Sequence, residues 1–180
     1  MSKECKSIVL IADNRITVDG QVVLELEADL DFASFAKIAF KNLGISYPKF
    51  YKMDKLCKLG FLAAEYLIAD SACRPDESTA IILSNSSGSL DSDLAHIQNA
   101  EQPSPAVFVY TLPNIVAGEI AIRHGIKGET AFFICENDDD NIAVQYAGEL
   151  LANGRTNSCI AGWIDYTEER YLARLYRLEK

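Results

Sequence analysis

The 180-residue chain is 49% hydrophobic, enough to bury a sizeable core, and its length suits one domain over residues 1–180. Its 17 Lys and Arg stand against 26 Asp and Glu, a formal charge of −9, which opposes phosphate-backbone binding and excludes a nucleic-acid partner. The start Met1-Ser-Lys-Glu-Cys-Lys6 has no apolar signal core, and no run of about 18 apolar residues occurs, so the expectation is a soluble, cytoplasmic protein with no membrane partner. Cysteines 5, 57, 73, 135 and 159 form no CxxC pair, which argues against zinc and against a disulfide framework.

In chain order, Ser7 to Ala12 is a short apolar run, and Ile16-Thr-Val18 followed by Asp19-Gly20 and Gln21-Val-Val-Leu24 carries a hairpin signature. Asp31 caps a helix reaching Asn42, with Phe32, Phe35, Ala36, Ala39 and Phe40 at helical spacing, and Tyr47-Pro48 breaks the pattern. A long helix follows over Met53 to Ala69, then a buried strand over Thr79 to Ser84, then the loop Asn85 to Ser89 and a polar helix over Leu90 to Asn99. Gln102-Pro-Ser-Pro105 reads as a break, and Leu112-Pro-Asn114 opens a helix to about His124. After Gly125 and Gly128, Thr130 to Cys135 reads as a buried strand leading into a helix over Asp138 to Asn153. Gly154 closes that helix, and the strands Asn157 to Asp165 and Tyr171 to Leu178 follow. Strands alternating with helices predict an α/β fold with a mixed sheet.

The stretch Thr130 to Asp140 carries the sharpest chemical question. Cys135 is either a nucleophile at the start of a helix or a core thiol, and Glu136, Asp138, Asp139 and Asp140 disfavour its ionisation. These acids suit a helix amino terminus capped by Asn137 or Asp138, and they offer oxygen ligands without an EF-hand spacing, so no metal is assigned. Ser86-Ser-Gly-Ser89 is either a connecting loop or a backbone cradle for phosphate, without the lysine of a P-loop. His96 belongs to the polar helix, and His124 precedes Gly125 as a solvated capping residue. On the last helix Asn141, Gln145 and Glu149 form a polar stripe opposite Ile142, Val144, Tyr146, Ala147, Leu150 and Leu151.

The order of Tyr51-Lys-Met-Asp54, Ala63-Ala64, Ser86-Ser-Gly88, Ser104-Pro105, Leu112-Pro-Asn114, Ala117-Gly118, Gly125-Ile-Lys-Gly128, Gly154 and Ile160-Ala-Gly162 resembles the amino-terminal half of a β-ketoacyl-acyl-carrier-protein synthase. The resemblance to this member of the thiolase-like superfamily runs over residues 7–166. It implies half of a thiolase-like architecture, a mixed sheet of about five strands with helices packed on it. Counting back from Gly154 and Ala161-Gly162 puts Asn137 where the family carries its acyl-accepting cysteine, with Cys135 two residues early on the strand. The family's two further catalytic residues, usually histidines, come from a carboxy-terminal half that this chain is expected to lack. Trp163 stands where the family has a second glycine.

By this resemblance the pocket candidates are Ser86, Ser87, Gly88, Asn114, Glu136, Asn137 and Asp138, with no cofactor. The implied function is a catalytically degenerate accessory or chain-length-factor-like component of fatty-acid, aryl-polyene or polyketide-type synthesis, binding a partner ketosynthase or an acyl-carrier protein. Two alternatives stay open: a condensing half-subunit using Cys135 with residues of another chain, and a structural dimerisation module. The family also implies a two-fold homodimer through the strand bearing Thr130, Phe132, Phe133 and Ile134.

Overall fold

The computed structural model describes residues 4–69, 74–99, 104–137, 141–168 and 170–180. Its seven strands form one mixed sheet in the order β3-β2-β1-β7-β6-β4-β5. They are β1 (Glu4–Ala12), β2 (Arg15–Val18), β3 (Gln21–Glu25), β4 (Ala80–Asn85), β5 (Thr130–Ile134), β6 (Ser158–Thr167) and β7 (Arg170–Glu179). The mixed α/β sheet agrees with the sequence, but seven strands replace the expected five or so. The extra strands come from tight turns: Asp13 and Asn14 (φ 47° and 56°) join β1 to β2, and Asp19 and Gly20 (φ 52° and 79°) join β2 to β3. Left-handed residues in pairs match the twist of the strands they connect, so the hairpins extend the main sheet. β3 to β6 pair antiparallel through β2, β1 and β7, while β6-β4-β5 is parallel.

The helices are α1 (Phe32–Asn42), α2 (Lys55–Ala69), α3 (Leu90–Gln98), α4 (Pro105–Val109), α5 (Ile115–His124) and α6 (Asn141–Ala152). Asp31 caps α1 by accepting from the Ser34 N–H at 2.8 Å, and Asp54 accepts from the Cys57 N–H at 2.9 Å at the start of α2. Two predicted breaks are short helices instead. Pro48 opens a 3₁₀ turn to Lys52 and Pro105 opens α4, because proline fits the first helical position, where its missing N–H costs nothing.

Strand alternation divides the core between the two faces of the sheet. Ile81, Leu83, Ile160, Ile164 and Leu175 pack with Phe32, Phe35, Phe61, Leu62 and Ile120 under α1, α2 and α5. On the other face, Ala80, Ile82, Cys159, Ala161 and Leu178 pack against α6, through Ala143, Ala147, Leu150 and Leu151. Gln145 and Glu149 are exposed as expected, but Ile142, placed on the apolar side by its spacing, is 42% exposed. Beyond α6, Leu10, Ala12, Leu172 and Arg174 on this face are half-exposed. No helix among the described residues is long and apolar enough to cross a membrane.

Candidate functional site

The carboxy ends of the parallel strands β4, β5 and β6 carry most of the residues singled out in the sequence, and this is the end at which open α/β sheets commonly bind ligands. Asn85, fully buried at the end of β4, folds the following loop back on itself: its amide donates to the Gly88 carbonyl at 2.8 Å and accepts from the Gly88 N–H at 2.9 Å. Ser86 Oγ donates to Asp165 Oδ2 at 2.8 Å, Ser87 Oγ to the same oxygen at 3.3 Å, and Thr167 Oγ1 to Ser87 Oγ at 2.6 Å. The Ser87 N–H also points at Asp165 Oδ1, at 3.3 Å. The donors of the serine loop are thus committed to a carboxylate that the sequence did not single out. They border a cavity of about 350 Å³ whose wall includes Trp163, Asp165, Thr167 and Arg170. Trp163 is buried there to 1% exposure.

Cys135 lies just past β5, half-buried, its N–H donating to the Asn85 carbonyl at 2.8 Å. Glu136 and Asn137 are exposed beside it, and Asp138, Asp139 and Asp140 lie outside the described residues. Asn114 stands exposed at the amino end of α5, with no hydrogen bond to Ser86, Ser87 or Gly88 among the described residues.

Neither histidine joins this group. His96, on α3, rests against the Phe108 ring at 5.6 Å. His124 is not the solvated cap expected from its position: its Nε2 lies 3.2 Å from Glu65 Oε1, and the side chain is 14% exposed. The α5–β5 turn places it before the start of β5, whereas Cys135 follows the end of that strand. Glu65 also accepts from Arg123 Nε at 2.7 Å. Burial pushes its carboxyl up, but the neighbouring His124 and the hydrogen bond from Arg123 outweigh that and hold it below the usual range. Arg123 and His124 are thus both directed at Glu65.

β5 is the outer strand of the sheet rather than a buried one. Thr130 and Ile134 are exposed, and Ala131, Phe132 and Phe133 are half-buried. Phe132 packs into the α2–α5 side and Phe133 against Tyr146 on the α6 side, so neither ring points outward along the sheet. The Glu129 carbonyl and the Cys135 N–H bond to β4. The alternation of a parallel ladder therefore turns residues 131 and 133 to β4 and leaves the N–H and C=O of Thr130, Phe132 and Ile134 on the open edge.

Next to that edge, α3 exposes Leu90, Leu94 and Ile97 at i, i+4 and i+7, and α4 exposes Phe108 and Val109. Ile97 is 68% and Phe108 57% exposed, and Ile134 adds a side chain 58% exposed. A Cβ placed on Gly88 would lie 3.9 Å from Ile134 Cδ1, which joins the start of α3 to the strand edge. Exposed apolar side chains and an unpaired strand edge are features of protein interfaces. The apolar spacing of Leu90, Leu94 and Ile97 was available in the sequence, although the helix reads as polar overall.

No family model matches the chain. Over 118 residues it is 24% identical to the ketoacyl synthase β subunit of the tetracenomycin polyketide synthase of Streptomyces glaucescens, a match covering 61% of this chain and 29% of that protein. Among solved structures, the ishigamide ketosynthase/chain length factor superposes on all of this chain and 62% of its own, with a TM-score of 0.74 and 17% identity. A ketosynthase in complex with its chain length factor from Xenorhabdus doucetiae covers all of this chain and 79% of its own, with a TM-score of 0.65 and 13% identity. The chain therefore has the thiolase-like fold of the ketosynthases and their chain length factors, is related in sequence to a ketosynthase β subunit, and spans only part of these proteins.

Proposed function

We propose that the chain is a chain-length-factor-like accessory subunit of polyketide- or aryl-polyene-type synthesis, acting by docking on a ketosynthase and not by condensing acyl groups itself. The observation that carries this reading is the open β5 edge together with the exposed apolar side chains of α3 and α4. A condensing enzyme needs an activated thiolate and imidazoles that polarise its extender. Asn137, at the position of the family cysteine, cannot supply a thiolate. The likeness to a ketosynthase β subunit and to ketosynthase–chain length factor structures supports the same partner class.

A second reading, favoured by the same edge, is a homodimer in which Thr130, Phe132, Phe133 and Ile134 meet their own two-fold copies. Two chains of charge −9 repel one another, whereas a ketosynthase with a basic rim would not. Affinity capture of a ketosynthase from the same organism, followed by light scattering, separates the readings. A 1:1 complex is the expected result; a dimer of this chain that ignores ketosynthase would favour the second reading; a monomer that captures nothing would overturn both.

A further inference from the structure

At the opposite end of the sheet, the chain leading into β4, the start of β6 and the end of β7 frame a separate cavity of about 440 Å³. Its central feature is Arg177, whose side chain is only 9% exposed. The guanidinium donates through Nη2 to Glu179 Oε1, one of the five N–H donors it carries. It makes no other hydrogen bond to the described residues, and none of its nitrogens is sealed from solvent without a partner, so the remaining donors open into the cavity. Arg74 and Lys180 line the same space, and neither is paired with a carboxylate among the described residues.

The opposing charge is limited. Asp76 also lines the cavity, but its Oδ1 accepts from the Ser78 hydroxyl and N–H, each at 2.8 Å. These bonds turn it into its own loop and hold its carboxyl below the usual range. Glu179 is taken by Arg177. Among the described side chains of the lining, three cations face these two carboxylates, in a chain whose net charge is strongly negative. Asn157 and Ser158 add an amide and a hydroxyl at the rim, neutral donors that suit a second oxygen of the same ligand.

We propose that this cavity binds a singly charged oxyanion, a carboxylate, with Arg177 as its main anchor and Arg74 and Lys180 as flanking charges. The carboxylate could be that of a small free acid or of an acidic side chain on a partner protein, and the planar fork of an arginine suits either.

The test is an NMR titration of the full chain at constant ionic strength, following the amides of Ser158 and Lys180 and the arginine Nε–H signals. Four probes are used: sodium acetate, N-acetyl-aspartate amide, sodium chloride and inorganic phosphate. Saturable shifts from acetate and acetyl-aspartate amide, confined to these residues and weakened at least tenfold in Arg177→Gln, are expected. Tighter binding of acetyl-aspartate amide than of acetate would mark a protein-borne carboxylate as the natural ligand, and the reverse a small acid. If Arg177→Gln does not fold, Lys180→Ala replaces it, with a severalfold loss expected. The proposal is overturned by shifts that do not saturate, by equal shifts from chloride, by phosphate binding tighter than either carboxylate, or by undiminished binding in the variant.

Discussion

Replacing Ile134 with proline tests the docking edge without touching the bonds that hold β5 in the sheet. The Ile134 N–H points away from β4, whereas the neighbouring Cys135 N–H is the one bonded to Asn85. Proline therefore removes one outward donor, worth about 0.5–1.5 kcal/mol in a completed ladder. It also removes an apolar side chain that is 58% exposed in the free chain. Burying that remainder contributes roughly 1–1.5 kcal/mol, taken as its share of the ~1.5–3 kcal/mol for burying a whole aliphatic side chain. The sum of roughly 1.5–3 kcal/mol corresponds to about a 10- to 150-fold weaker complex with ketosynthase, measured by calorimetry or sedimentation. Urea unfolding of the isolated chain should move little. Phe133→Pro is the contrasting variant: its N–H faces the fully buried Leu83, and leaving that carbonyl unpaired should cost the free chain about 1–3 kcal/mol. Equal destabilisation of the free chain by the two prolines, or undiminished assembly of folded Ile134→Pro, would refute the assignment of the open edge.

Gly162→Ala should destabilise the chain by about 3 kcal/mol or more in urea unfolding. Its backbone sits at φ +149° and a Cβ there would lie 2.0 Å from the Arg174 carbonyl oxygen; a loss below about 1 kcal/mol would show that β6 and β7 separate easily. Glu65→Gln should cost about 2–3 kcal/mol at neutral pH, discounted from the fully buried case because Arg123 is 25% exposed. Because the folded carboxyl of Glu65 titrates below its ordinary 4.5, its contribution is present above that pH and disappears as pH falls through the folded value. The stability gap between wild type and variant should therefore narrow below about pH 4.5, and a gap constant from pH 7 to pH 3 would contradict the pairing. Iodoacetamide should modify half-buried Cys135 before Cys57 and Cys159, since burial pushes Cys159 up to about 12 and raises Cys57 well above its ordinary value. Peptide mapping that finds Cys57 or Cys159 labelled first would show these cores open readily.

The sequence made the layered fold readable because its main elements carry their own periodicity and punctuation: Phe32 to Phe40 behind the Asp31 cap, the Asp19-Gly20 turn, and the Gly125 helix end at φ 69°. The short helices at Pro48 and Pro105 escaped notice because proline punctuates a break and a helix start alike. The position of β5 at the sheet edge was not legible, since Thr130 to Cys135 is as apolar as a central strand and only the strand order reveals its open side. The partners of the site residues were hidden for a similar reason. Asp165 lies 79 residues from Ser86 and Glu65 lies 58 from Arg123, so no local pattern joins them. Arg177 reads on β7 as a surface charge by composition, and only the fold buries it between the ends of three strands.

The central claim, that this chain supports a ketosynthase without being acylated, is tested most directly by intact-mass spectrometry. The chain, alone and in complex with a ketosynthase, would be incubated with an acyl-thioester donor. The account predicts an acyl adduct on the ketosynthase and an unchanged mass for this chain in both samples. An adduct on this chain that maps to Cys135 and is lost in Cys135→Ala would contradict it.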